Sequence, residues 1–379
     1  MPGCGTGTGG RSVGGMAALT HDAVVVGAGP AGALASLHLA RQGRRVLLLE
    51  KARAGRDKPC GGGLTVRSWR DLEVPIDDLV VARVDTAELR CGPRRAVRIP
   101  LGAKGVLMVR RRDLDRRIGE AAQQAGAELH HREPVAAVEP VDGGVEVRTG
   151  AGRYRAAAVL LATGAEAPLR SALGLAPPAG TMAVALELEG RARLAPPRGD
   201  AFVFDYAVPG GYAWAFPKVG HQGWWNAGIV TGRTGRGPEL RGRLARFLDE
   251  VGLHFEELSP HRATGRRIPF WGGRRVLHRG RVALLGDAAG LADPFFGEGI
   301  AEALASGRLG ARAAGDVIDG RRDDLGAYTA AVDATLRGHL WRMRQTARIA
   351  YAAPAMSLRA LMVSARVRRL VTRAATEGF

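Results

Sequence analysis

Residues 24–32 read VVVGAGPAG, and Gly27, Gly29 and Gly32 stand there at G-x-G-x-x-G spacing after a short apolar run. Ala23–Val26 suits a buried parallel strand, and the glycines turn that strand into a helix. Gly27 permits the tight turn, Gly29 lets the backbone approach a pyrophosphate, and Gly32 lets helix pack close to strand, with small Ala31 between them. The helix runs to about Arg41 and aims its first amides and positive dipole end at the phosphates. Gly43 reads as its C-cap and Arg45–Leu49 as the next strand. Glu50 lies 18 residues after Gly32, near the roughly 20-residue offset at which an acid holds a ribose. A Gly-rich turn in an unrelated α/β protein is the bland alternative; strand, helix, strand and acid together argue against it.

A second stretch, far along the chain, reads LLGDAAGLADPFFGEGI from Leu284 to Ile300. Strand Arg281–Leu285 delivers Gly286 and Asp287, and Asp287 can accept hydrogen bonds from ribityl or phosphate-proximal hydroxyls. Pro294, Gly297 and Gly299 form a loop with little side-chain bulk, so the backbone can approach a flat ring. The helix from Gly299 to about Ile318 aims its positive end at the N1–C2 edge of an isoalloxazine, which is negative when reduced. Phe295 and Phe296 can wall the ring. The two stretches make most sense with one FAD molecule between them.

At 379 residues the chain is long enough for two modest domains or one large interleaved one. The expected architecture is α/β: a three-layer, Rossmann-like FAD-binding domain built from residues 20–70, 101–180 and 266–330. Residues 71–100 and 181–265 should form an inserted α+β substrate domain with an antiparallel sheet. Helices are expected at Leu114–Ala125 and near Leu240–Val251, strands at Glu128–Leu129, Val135–Val141, Val145–Thr149 and Ala157–Ala162. Residues 1–19 read as a disordered Gly-rich leader in which Met16 could be the start, and 331–379 as basic helices.

Net charge is +18, mostly from Arg, which favours anionic partners or reflects a solvated Arg surface. No base-reading module is visible, so nucleic acid is not expected. From Arg337 to Arg373 there are nine Arg and no Asp or Glu, interleaved with Trp341, Ile349, Met362 and Leu370. Such a segment suits both a hairpin packed on the body and peripheral membrane contact. No apolar run is long enough to span a bilayer. Cys4, Cys60 and Cys91 are too scattered for a disulfide framework or a zinc site, so a reducing cytosol fits and no metal is expected.

The chain resembles the geranylgeranyl reductase family of flavoproteins, within the group sharing the p-hydroxybenzoate hydroxylase type of FAD fold. The resemblance covers residues 20–330. It rests on GAGPAG (27–32), EK with KPCGGGL (50–51, 58–64), VxRxxLD (109–115), ATG (162–164), GGYAWAFPK (210–218) and GDAAGLADPFFGEGI (286–300). KPCGGGL and YxWxFP are the discriminating members. The resemblance implies that Arg111 contacts the FAD phosphate or ribityl region and Val135 the adenine end. It brings Lys51, Gly61, Gly62, Ala162, Thr163, Gly164 and Ile300 to the cofactor as well. It also puts the Cys60 loop at the active site, where the thiol could donate a proton or tune the flavin if its pKa is suitably placed.

Tyr212, Trp214 and Phe216 alternate and so share one strand face. They read either as a sheet's core face or as the aromatic wall of an apolar substrate cavity, with at least one of Trp224 and Trp225, Trp225 first, expected to line the same pocket and Phe296 beside it. The leading reading is an FAD-dependent reductase of carbon–carbon double bonds in an apolar, prenyl-derived or natural-product substrate. Hydride from N5 would reach one alkene carbon, and Cys60 or water would protonate the other. No second G-x-G-x-x-G follows a strand, the one at Gly5–Gly10 lying in the Gly-rich leader, so electrons are expected from outside: nicotinamide, a ferredoxin or a flavin reductase. A monooxygenase or halogenase, and a quinone-linked electron-transfer flavoprotein, are the alternatives.

Overall fold

A computed structural model describes residues 19–102, 105–165, 168–194, 201–219, 223–232 and 237–376. The Gly-rich leader therefore lies outside the described residues, apart from Leu19. The chain opens with β1 (His21–Val26), α1 (Pro30–Arg41) and β2 (Val46–Glu50). The β1 interior and all of β2 are buried, as continuous apolar runs require when helices cover both faces. Gly43 follows the helix in the left-handed region at φ 73°, the conformation that ends it.

Next come β3 (Gly63–Leu64), α2 (Val66–Arg70), β4 (Val80–Val84), β5 (Thr86–Arg90), β6 (Ala96–Pro100) and β7 (Val106–Val109). Helix α3 (Arg111–Gln124) begins three residues ahead of the apolar periodicity, because its first turn is charged. It is followed by β8 (Glu128–His131), β9 (Val135–Val141), β10 (Gly144–Thr149), β11 (Arg153–Leu161) and the short α4 (Pro168–Ala172). The middle of the chain supplies β12 (Met182–Leu194), β13 (Ala201–Asp205), β14 (Gly211–Val219), β15 (Trp224–Thr231), α5 (Gly237–Val251), β16 (Leu253–Phe255) and β17 (Thr264–Pro269). It ends with β18 (His278–Arg279), β19 (Val282–Leu284), α6 (Ile300–Ile318), α7 (Gly326–Ala352), α8 (Pro354–Val363) and α9 (Ala365–Thr376).

One sheet runs β18-β19-β11-β1-β2-β8, with the β9–β10 hairpin attached to β11. Its β19, β11, β1, β2 and β8 are parallel neighbours, so segments more than a hundred residues apart lie side by side, and β11 alone separates β1 from β19. Helices α1 and α6 pack on this sheet through Ala and Gly contacts, and that closeness brings the two Gly-rich turns together.

The second sheet runs β16-β12-β15-β14-β13-β5-β6, and β17 pairs with β12. Residues 266–269 thus hydrogen-bond into the second sheet rather than the first, a correction to the range expected for the nucleotide-binding part. The sheet is antiparallel except where β13 runs parallel to β5, because those strands come from separate segments of the chain. Strands β3, β7 and β4 form a small third sheet.

The faces of the second sheet have different covers. On one, Leu240, Leu244, Phe247, Leu248 and Val251 of amphipathic α5 pack against Ala213, Ala215, Trp225, Ala227 and Ile229. On the other, Met343, Ala347, Leu358 and Leu361 of α7 and α8 pack over Phe202, Tyr206, Tyr212, Trp214 and Phe295. The basic C-terminal helices are therefore a roof on the aromatic face. Among the described residues no helix is long and apolar enough to cross a membrane.

Candidate functional site

The three glycines of the first turn do three separate jobs. Gly27 has φ 103°, and a Cβ there would lie 2.3 Å from the Ala162 carbonyl oxygen. A Cβ on Gly32 would lie 2.0 Å from the Gly27 oxygen. Protein backbone fills both positions. Gly29 is different: its Cβ would meet only Arg56 Nη2, at 3.7 Å. An open glycine between two crowded ones, at the head of α1, leaves the backbone approach that a pyrophosphate needs at a helix N-terminus.

Glu50, 5 % exposed, accepts hydrogen bonds from the Ala28 and Ala52 amides, each at 2.9 Å. Its carboxylate ties the turn to the end of β2, and each oxygen keeps a lone pair. Lys51 beside it is exposed, and Val135 sits half-buried at the start of β9. Arg56 ion-pairs with Glu50 (3.6 Å) and Asp115 (3.2 Å). Arg111, at the head of α3, donates twice to Asp115 at 3.0 Å. Burial opposes its charge, but Asp115 and nearby Cys60 hold its pKa above the ordinary value. Beyond β11, Ala162 donates to the Val26 carbonyl (2.8 Å). The Thr163 hydroxyl is buried without a partner, and Gly164 turns away at φ 81°.

The late motif closes on this turn. Gly286 has φ 55°, and a Cβ there would touch Ala31 and Ala303 at 3.3 Å, so it joins α1 to α6. Asp287 ion-pairs with Lys58 at 3.2 Å, and its carboxylate faces Gly299, which caps α6. Ile300 is buried in the first turn of that helix, and Pro294 is buried before it. Gly297 (φ 68°) lies against the Tyr212 hydroxyl. Arg170 ties the segment after β11 to the late motif, donating to the carbonyls of Ala165 (2.7 Å) and Ala288 (3.2 Å).

Between these lies the thiol loop. Gly62 (φ 72°) directs its amide to Cys60 Sγ at 3.4 Å, and its carbonyl accepts from the Val109 amide. A Cβ on Gly61 would lie 2.7 Å from the Phe216 ring, so loop and aromatic wall are in contact. Lys218, 1 % exposed, presses its ammonium against Gly62, donates to the Val109 carbonyl (3.2 Å) and pairs with Glu189 (3.4 Å). Asn226 links Glu189 to Trp214 Nε1 through bonds of 3.1 and 2.7 Å. Glu187 beside them is pushed up to about 7 by burial and by Glu189. Alternation puts Lys218 on the face of Tyr212, Trp214 and Phe216, but a lysine at a strand end reads as solvated; its burial against Gly62 and Glu189 comes from tertiary contacts.

Tyr212, Trp214 and Phe216 do share one face, joined by Phe202, Phe204, Tyr206, Phe295, Phe296 and Tyr351. Trp225 does not. Pairing with Pro217 turns it to the opposite face, under α5, so the expectation that it lines the pocket is corrected. Its neighbour Trp224 has the inward parity and stacks under Arg110 at 5.1 Å.

Behind Phe295 and Phe296 lies a charged cluster that the sequence did not announce. Arg67 donates to Glu302 (2.8 Å) and contacts His339 (2.7 Å). Asp293 caps the Phe295 and Phe296 amides, and Glu298 accepts from Thr65 and Ser68. Burial pushes Asp293 up to about 7 and raises Glu302 too, while burial and Arg67 press His339 down to about 3.

An open glycine at a helix start, a buried threonine hydroxyl without a partner and a second capped turn facing the first fit a flavin dinucleotide and define the class: an FAD-dependent oxidoreductase. Residues 20–206 match the FAD binding domain family. The chain is 34% identical to a geranylgeranyl diphosphate reductase of Rhodobacter capsulatus over 78% of its own length and 75% of the relative's. It is 32% identical to digeranylgeranylglycerophospholipid reductase 1 of Methanopyrus kandleri, covering 82% and 84%. The chain belongs to the geranylgeranyl reductase family of FAD-dependent oxidoreductases. The fold is shared with a geranylgeranyl bacteriochlorophyll reductase-like protein from Thermoplasma acidophilum (TM-score 0.78, 22% identity, 94% and 96% covered). It is shared too with a flavin-dependent brominase (TM-score 0.72, 20% identity, 94% of each chain).

Proposed function

We propose that the protein reduces carbon–carbon double bonds of an apolar, prenyl-derived or natural-product substrate held in the aromatic chamber. The contact between Phe216 and Gly61 carries this reading, because it sets an apolar wall directly against the thiol loop. The names of the two relatives, reductases of geranylgeranyl compounds, support it.

Gly29 and the first turn of α1 would hold the pyrophosphate, Glu50 the adenosine ribose, and Arg111, Thr163, Asp287 and the Gly297–Gly299 loop the remaining length of FAD. When bound and reduced, FAD supplies hydride at N5. Cys60 Sγ would hold the proton that completes the alkane and regain it from solvent. Lys218 and Arg111 fix the loop that carries the thiol. The rings of Phe204, Tyr212 and Phe216 exclude water from the reacting carbons. An external donor (nicotinamide, a ferredoxin or a flavin reductase) would reduce the enzyme between turnovers.

The roof also presents a surface of its own. Its outer faces carry Trp341, Arg348 and Ile349 on α7, Met356, Arg359, Met362 and Val363 on α8, and Arg366, Arg369, Leu370 and Arg373 on α9, all exposed. An apolar, Arg-only surface over an apolar chamber suits peripheral contact with an anionic bilayer.

Anaerobic mixing of the reduced holoenzyme with geranylgeraniol should return the flavin to its oxidised spectrum. In Cys60→Ala that oxidation should slow by about 100-fold, the usual size of a lost general acid, with flavin content unchanged. Failure of every alkene to oxidise the wild-type flavin would overturn the reading. A Cys60→Ala variant as fast as wild type would transfer the proton-donor role to water.

A further inference from the structure

The aromatic cluster that would form the substrate chamber contains three tyrosines, and their hydroxyls are treated differently. Tyr212 donates to the Phe296 carbonyl and Tyr351 to the Phe295 carbonyl, each at 2.5 Å. Tyr206, 7 % exposed, has no partner for its hydroxyl. Its ring is fixed between Phe204 (6.4 Å, 14°) and Phe295 (5.8 Å, 12°), with Tyr212 and Tyr351 about it. Buried tyrosine hydroxyls ordinarily find an acceptor. Here the Phe295 and Phe296 carbonyls accept from the other two tyrosines and not from Tyr206.

We propose that the Tyr206 hydroxyl is the anchor for a neutral oxygen of the substrate, an alcohol, ether or carbonyl, at the end of the chamber removed from the thiol loop. The inference rests on the function proposed above and narrows its substrate class. The wall has a direction: Phe216 touches Gly61, Phe204 lies 5.1 Å from Phe216, and Tyr206 lies 6.4 Å beyond Phe204. A molecule laid along it with an alkene at Gly61 presents atoms two ring steps further on to Tyr206. Tyr206 therefore acts as a ruler, setting which double bond of a repeating chain reaches the reacting position. The oxygen is neutral because the surroundings are rings and the buried Asp293 carboxyl; a diphosphate placed there would be stripped of water without a cation to face it. Burial also raises the Tyr206 pKa well above its usual value, keeping the group a donor.

The test compares two probes that differ by one oxygen: all-trans-geranylgeraniol and the C20 hydrocarbon with the same double bonds and no hydroxyl. Binding to the oxidised holoenzyme is read by quenching of tryptophan fluorescence. Wild type should bind the alcohol about five- to tenfold more tightly, the worth of one hydrogen bond in a dry site. Tyr206→Phe should bring the two affinities within about twofold by weakening the alcohol alone. Equal wild-type affinity for both probes overturns the anchor whether or not the variant folds, and so does an unchanged preference in Tyr206→Phe. If neither probe binds wild type at all, the proposed function falls together with the anchor.

Discussion

Replacing Gly29 by alanine separates cofactor binding from folding. Its φ of −77° is ordinary for alanine, and the added methyl meets only Arg56 Nη2, at 3.7 Å. Alanine at a compatible φ stabilises by roughly 0.4–1 kcal/mol, and a poorer N-cap costs a similar amount. The apoprotein should therefore keep its stability to within ~1 kcal/mol. The methyl nevertheless fills the gap through which a pyrophosphate would approach the α1 amides. Forcing one methyl into a close-packed contact costs about 1–3 kcal/mol, which is roughly 5- to 150-fold in Kd. Flavin fluorescence titration of the apoprotein reads this directly, with urea midpoints of the apoprotein as the control. Gly32→Ala is the contrast: its methyl would lie 2.0 Å from the Gly27 oxygen, so it should lose folded protein before it loses affinity. A Gly29→Ala protein that binds FAD as wild type does would refute the placement of the pyrophosphate.

Two further outcomes follow from the charges. Asp293 has a folded pKa of about 7 against an unfolded value of about 3.9. Between those values the folded state holds a proton the unfolded state lacks, so its contribution to stability declines as pH rises through that window. Asp293→Asn keeps an acceptor for the Phe295 and Phe296 amides and should remove up to ~1.4 kcal/mol per pH unit of that slope. His339, with its lowered pKa and its ring 3.7 Å from Asp293, slopes the other way. Urea midpoints at pH 5, 6 and 7 check it, and an unaltered slope would show that Asp293 does not carry the proton. Converting Arg366, Arg369 and Arg373 to serine should cut co-sedimentation with phosphatidylglycerol vesicles by at least tenfold, each arginine near an anionic surface being worth ~1 kcal/mol. Undiminished binding would leave α9 without a membrane role.

The cofactor half of the site was legible in the chain because its chemistry is local. A strand, three glycines, a helix and an acid at fixed offsets dictate a turn, and the positive φ of Gly27 belongs to that turn, although the Ala162 carbonyl that crowds it comes from far along the chain. Periodicity likewise gave the shared face of Tyr212, Trp214 and Phe216, since alternation within one strand needs no partner. Which face each residue of the next strand takes is another matter. Trp224 and Trp225 are adjacent and equally apolar, and only the pairing of β15 with β14 sends Trp225 under α5 and its neighbour toward Arg110. Tertiary contacts likewise decide the burial and partners of Lys218, the cluster of Arg67, Asp293, Glu302 and His339, and the free hydroxyl of Tyr206. Their meaning comes from contacts across 100 to 270 positions of chain, where burial and register, not spacing, decide what a polar group faces.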